Sequence, residues 1–205
     1  GVLEAEVDFE SIDYADDPLA DEDTSDAVLA TMELGVDAVV NDYVSGHVLF
    51  LWEEDDTEPI DLDEGFITIT GGGYCPGYVS AGKMYVPFGN FASNMVSDPL
   101  TLEMAETRES AVQAGVETSG FYGSVFVFNG DVDEAGEESH LDNYGANGGF
   151  ALENEGFSLD VGASYINNIL DSDGLGDYAS ALMAESGADL HEYVAGVGGY
   201  AVASA

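Results

Sequence analysis

Apolar and polar side chains alternate with a period of two in one stretch after another. Leu3, Ala5, Val7 and Phe9 alternate with Glu4, Glu6, Asp8 and Glu10. Val28, Ala30, Met32, Leu34, Val36 and Ala38 oppose Thr31, Glu33, Gly35 and Asp37. Val44, Gly46, Val48, Phe50 and Trp52 oppose Ser45, His47, Leu49, Leu51 and Glu53. The same rhythm runs over 78–88, 121–128, 144–152, 157–165 and 193–202. Strict alternation sends one residue set to each face of a strand. The pattern therefore predicts an all-β, antiparallel up-and-down meander. It forms a single domain over 1–205, with 26–175 as the main part and a first strand plus acidic loop over 1–25.

Turn residues separate the runs. Asp55-Asp56-Thr57-Glu58-Pro59, Asn129-Gly130-Asp131 and Asp171-Ser172-Asp173-Gly174 read as loops, and Asn154-Glu155-Gly156 reads as a tight hairpin turn. Long acidic loops at one end and short turns at the other are the asymmetry of an outer-membrane barrel. Two stretches depart from the rhythm. Ser97-Asp98-Pro99-Leu100 is a helix-start signal. Over 102–116, helix formers compete with alternation, and a strand is the expectation there. Residues 178–192 admit a short helix within a loop. No repeat beyond the hairpin rhythm is visible.

The two faces differ in kind. One carries Leu, Val, Phe and Tyr, with aromatics near run ends (Tyr43 and Trp52, Tyr78 and Phe88, Phe157 and Tyr165); the other carries Glu, Asp, Ser, Asn and Gly. A soluble sandwich turns the apolar face inward. A membrane barrel turns it to lipid, with aromatic girdles and a polar lumen. Alternation alone does not choose, but the girdle-like aromatics and the scarcity of Pro within strands favour the barrel.

Composition sharpens the choice. The chain has 42 acidic residues against two basic ones, yet is 45% hydrophobic. A chain this rich in aliphatic and aromatic residues is not a charged disordered segment. Its negative charge makes nucleic acid and anionic surfaces poor partners and cations good ones. Cys75, the one cysteine, excludes an intrachain disulfide and reads as a structural thiol in a Cys-Pro-Gly turn. No signal-peptide pattern and no run of 18 apolar residues is present; barrel strands need only about 9–11 residues each.

Candidate chemistry is sparse. Asp171, Asp173 and Asp177 form one cluster that could converge on a hard cation, and Asn129, Asp131 and Asp133 form another; neither completes a calcium loop. No cofactor is required, and calcium is the ion these loops would take. His47, His140 and His191 lack metal-ligand spacing. Gly71-Gly72-Gly73 reads as a flexible turn and not a phosphate cradle. No nucleophile, P-loop or zinc signature occurs, so an enzyme is not expected. Lys83 and Arg108 are the only fixed cations, and with Glu103 and Glu106 they are candidates for lumen-lining ion pairs. With Tyr78, Met84 and Val86 taken as the lipid face, Lys83 points into the lumen.

Residues 81–91, 93–103 and 106–111, followed by Phe121-Tyr122-Gly123-Ser124 and Phe128-Asn129-Gly130-Asp131, resemble the LbtU-type siderophore porins of Gram-negative outer membranes. The resemblance covers about 26–175 and is weak at both ends. It implies an outer-membrane β-barrel that passes small solutes, iron–siderophore complexes among them, in contact with outer-membrane lipid. It supplies no ligand residues. Such barrels look longer than this chain, so either a small barrel closes here, or strands lie beyond residue 205, or several chains close one barrel as a homo-oligomer; strands beyond residue 205 are the expectation. The reading from the residues is a porin with an acidic, cation-favouring lumen. The rival is a secreted or surface-layer β-protein assembling through calcium or other divalent cations, and a third reading is a soluble sandwich from a high-salt environment.

Overall fold

A computed structural model describes residues 1–12, 22–54, 59–91, 99–132, 141–187, 190 and 192–204, with the backbone alone at 12, 22, 23, 74 and 103. Ten strands follow one another in chain order, each hydrogen-bonded to the next in an antiparallel meander: β1 (Val2–Ile12), β2 (Glu22–Asn41), β3 (Val44–Glu53), β4 (Asp61–Thr70), β5 (Gly77–Tyr85), β6 (Arg108–Thr118), β7 (Phe121–Phe128), β8 (Asn143–Asn154), β9 (Phe157–Ile166) and β10 (Gly196–Ser204). Helices α1 (Leu100–Ala105) and α2 (Asp173–Ser186) interrupt the meander, with single 3-10 turns at Gly72–Tyr74 and Ile169–Asp171. The all-β expectation holds. Strand β4 was not anticipated. The helix-start signal before residue 100 is answered by α1, so the strand expected over 102–116 begins only at Arg108. Helix α2 starts at Asp173, inside the expected 171–174 loop, and ends at Gly187 in a left-handed conformation (φ 65).

The chain divides into two compact units. The first comprises Gly1–Ala38 and His47–Gly65. In it, β1 and β2 pair from Val2↔Glu33 to Ile12↔Glu22, with an irregularity between Glu4 and Glu6. His47 sits between two carboxylates, with Nδ1 2.7 Å from Asp37 and Nε2 3.6 Å from Glu64.

The second unit comprises Val39–Gly46 and Phe66–Ala205. Its strands turn tightly at one end, which we call the turn end. Asn41 caps the Asp42-Tyr43 turn by accepting from the Tyr43 and Val44 N–H groups at 2.9 and 3.1 Å. Ser119 (φ 51) and Gly120 (φ 85) join β6 to β7 in the left-handed conformations of a twisted hairpin turn. The Asn154↔Phe157 pair closes the hairpin expected there. The opposite, loop end carries the long connections 86–107, 129–142 and 167–195. Their segments 92–98, 133–140, 188–189 and 191 lie outside the described residues.

Ladder register lays the residues of β5–β10 out in rows. On one face the rows are Ala81–Val112–Val127–Tyr144; Val79–Ala114–Val125–Ala146–Tyr165–Val197; Val116–Gly123–Gly148–Ala163–Gly199; and Thr118–Phe121–Phe150–Val161–Ala201. We call this the outer face, because its large side chains are exposed or half-buried. It carries no charged residue in these rows, in a chain with 42 acids. Phe121 and Phe150 pair near its turn end (centroids 4.8 Å apart), and Tyr144 and Tyr165 near its loop end (6.3 Å).

The opposite, inner face reads Glu117–Tyr122–Gly149–Gly162–Tyr200; Tyr78–Gly115–Ser124–Asn147–Ser164–Gly198; Ser80–Gln113–Phe126–Gly145–Ile166–Gly196; and Gly82–Ala111–Phe128–Asn143. Toward the loop end it is apolar: Met84, Val86, Phe88, Ala111, Phe126, Phe128 and Ile166 form a buried cluster against Phe66, Ala105 and Ile169. Strand β5 stops at Tyr85, short of the expected Phe88, because Pro87 cannot donate to a ladder. The chain then turns across this cluster, with the Val86 N–H donating to the Thr107 carbonyl and the Gly89 N–H to Ser164 Oγ.

This arrangement corrects one expectation. Met84 and Val86 are buried on the inner face and cannot form a lipid face. Lys83 alternates with them and shares the side of Val79 and Ala81. Period two separates the sets but does not say which one faces inward.

Candidate functional site

Two features of the second unit carry chemistry. The first is the polar part of the inner face. Gln113 Nε2 donates to Tyr78 Oη (2.9 Å) and Ser124 Oγ (3.0 Å). Ser124 Oγ and its N–H both donate to Asn147 Oδ1, at 2.7 and 3.0 Å. Tyr122 Oη donates to Asp160 Oδ1 at 2.7 Å and also meets the Tyr200 hydroxyl. Aromatic rings lie over glycines of the adjacent strand. A Cβ at Gly115 would strike Tyr78, one at Gly145 Phe126, one at Gly149 Tyr122, and one at Gly162 Tyr200. Glycine is what lets these rings lie flat on the sheet.

The second feature is a cleft of about 560 Å³ at the loop end. Its walls bring together Lys83 from β5, Arg108 and Glu109 from β6, Asp131 from the connection after β7, and Asp171, Asp173 and Asp177 around the start of α2. Residues flagged separately in the sequence thus meet in one place. The Arg108 N–H donates to Asp173 Oδ1 at 3.3 Å, and the Asp173 N–H to the Glu106 carbonyl at 2.9 Å. Glu106 therefore holds the rim through its backbone. Glu103 lies in α1, with its side chain not described. Asn129 lies two residues before Asp131, and Asp133, His140 and His191 fall outside the described residues. Among the described residues, no three or more His, Cys, Asp or Glu side chains are grouped to hold a metal ion. Of the second acidic cluster, Asp131 lines the same cleft as Asp171, Asp173 and Asp177.

Asp171 is the buried member, 4% exposed. Its Oδ1 accepts from the Val132 N–H at 2.9 Å and its Oδ2 from Asn168 Nδ2 at 2.8 Å. Burial pushes its carboxyl up to about 6, and the nearby Asp131 carboxylate adds to the rise, while those hydrogen bonds pull the other way. An unfolded Asp titrates near 3.9. Between the two values the folded chain holds more proton than the unfolded one. Asp171 therefore adds stability as pH falls from about 6 toward 4, by at most about 1.4 kcal/mol per pH unit, and this gain is absent above 6. In urea titrations at pH 7 and pH 5, the wild type should gain more stability on acidification than Asp171→Asn. Equal gains would show that the carboxyl is not shifted.

No family model matches the chain. Its sequence is similar to UPF0422 proteins. It is 30% identical over 142 residues to one from Coxiella burnetii, covering 66% of this chain and 30% of that protein. It is 29% identical over 161 residues to another from Legionella pneumophila subsp. pneumophila (strain Philadelphia 1), covering 73% of this chain and 30% of the relative. The chain spans about 30% of the length of these curated relatives.

Charge and spacing single out Lys83, Arg108 and the aspartates but not Glu109, Asp160 and the Tyr–Gly pairs. Nothing in the local pattern marks these, because each depends on which residues stand opposite across the ladders.

Proposed function

We propose that this chain is part of the wall of an outer-membrane β-barrel that passes small solutes and favours cations. One observation carries the proposal. Four successive rows across the outer face of β5–β10 hold no charge and end in aromatic pairs, while the inner face carries the hydrogen-bonded polar groups. A water-soluble sheet places its apolar face against a core; here that face is open, as a lipid-facing wall requires. The strands of 8 to 12 residues suit a tilted span. Long acidic connections at one end and tight turns at the other fit the same architecture. With the sheet inserted, the aromatic pairs sit where interfacial girdles belong, and the carboxylates border water.

The resemblance to siderophore porins suggests iron–siderophore complexes among the solutes. The lumen chemistry favours neutral or cationic cargo, because carboxylates lining a passage attract cations and repel anions. The test is reconstitution of the full-length protein in planar bilayers under a KCl gradient. A reversal potential on the cation-selective side is expected. A protein that stays folded and monodisperse in buffer without detergent would rule the wall out.

A further inference from the structure

A hydrogen bond from Tyr122 holds one inner-face carboxylate, Asp160, in a set position. In the inner-face row Glu117–Tyr122–Gly149–Gly162–Tyr200, Tyr122 of β7 and Tyr200 of β10 are separated by β8 and β9, yet their hydroxyls meet. They can do so because the residues between them are Gly149 and Gly162, over which the two rings lie. A hydroxyl has a single proton to give. Tyr122 donates it to Asp160 Oδ1 at 2.7 Å, so its oxygen accepts from Tyr200. The result is a relay from Tyr200 through Tyr122 that ends on a carboxylate. Hydrogen bonds to an ionised acceptor are among the stronger ones and fix its position. All three residues are half-exposed, so water and solutes reach them. Both of the chain's cations stand at the opposite, loop end of their strands, Lys83 late in β5 and Arg108 at the start of β6.

We infer that Asp160 is a selectivity-determining charge of the proposed passage, and that Tyr122 and Tyr200 are positioning residues that hold it toward the lumen; this rests on the pore reading above. A cation passing the Gly149–Gly162 floor meets a fixed negative charge with no neutralising side chain in its own row, Ala151–Asp160–Val202. Anions meet the same charge as a barrier.

The experiment measures reversal potentials of the full-length protein in planar bilayers under a KCl gradient. It compares wild type, Asp160→Asn, Tyr122→Phe and Glu185→Gln, the last on α2 as a control. Asp160→Asn should lower the cation-to-anion permeability ratio by about twofold at low salt, with the difference shrinking as added salt screens the charge. Tyr122→Phe keeps the ring on Gly149 and the charge on Asp160 but breaks the relay, and should give a smaller drop. Glu185→Gln should match wild type. Asp160→Ser gives Tyr122 a hydroxyl partner and serves as a second neutral variant should Asp160→Asn fail to assemble. Conductance with wild-type selectivity in the neutral Asp160 variants would overturn this assignment alone. No conductance from the wild type would overturn the pore reading and this assignment with it.

Discussion

Val125→Arg is expected to destabilise the membrane-inserted protein by about 2–4 kcal/mol, the range for Arg near the midplane of a barrel wall. Val125 stands in the outer row Val79–Ala114–Val125–Ala146–Tyr165–Val197 and is 61% exposed. At a site that open in water, a Val-to-Arg change falls within about 0.5 kcal/mol, because nothing is desolvated and nothing is crowded. In acyl chains the same guanidinium loses its hydration and finds no counter-charge, since its row neighbours are all apolar or Tyr. The sign and size of the effect therefore identify the solvent that Val125 meets. Urea titration of the protein folded into lipid vesicles, read by heat-modifiable electrophoretic mobility, measures it. Val125→Thr, close in volume, should cost much less. Wild-type stability of Val125→Arg in vesicles would mean that this face does not meet lipid.

The elements differ in how legible they are in the sequence. Strand β7 was legible at both ends, because turn residues bound the β-branched and aromatic run Phe121–Phe128 on each side. Strand β4 was not, because it opens on Asp61-Leu62-Asp63-Glu64-Gly65, a loop-like run, and alternates cleanly only over 66–70. Helix α2 was displaced because Gly174 and Gly176 look like loop residues. In the fold the Ser172 hydroxyl ties its start to the Met104 and Ile169 carbonyls at 2.7 and 2.8 Å, and tertiary anchoring outweighs propensity. The face assignment of β5 was the most consequential miss. Alternation put Met84 and Val86 together correctly, but only the closing of 86–91 over them decided that they face inward. The cleft shows the same division. Lys83, Arg108, Asp131 and Asp171 each drew attention alone, yet they lie far apart in the chain. Their meeting is a product of strand register and long connections, which one-dimensional pattern does not encode. The Tyr–Gly pairs become visible only once the ladders are aligned.

The two ends of β7 give the second large expected effect. Phe121 and Phe128 open and close one strand of eight residues and stand on opposite faces. Phe128 is fully buried, near Phe126 (centroids 6.2 Å apart, planes 30° apart) and in the cluster with Met84, Val86, Phe88 and Ile166. Truncating it removes the ring and leaves a cavity that this cluster, bounded by the sheet and by α1, closes only in part. Phe128→Ala should therefore cost about 3–5 kcal/mol. Phe121 is 63% exposed and touches Phe150. In a bilayer, acyl chains fill the space that its ring vacates, so Phe121→Ala forfeits mainly the aromatic pairing, about 0.5–1.5 kcal/mol. Both variants can be titrated with urea in the same vesicles. A larger loss at Phe128 locates the dry packing on the inner side of the loop end, with lipid outside. Equal losses would mean that the outer ring is also packed against protein, and that the exposed rows of β5–β10 are the buried interface of a larger assembly and not a wall in lipid.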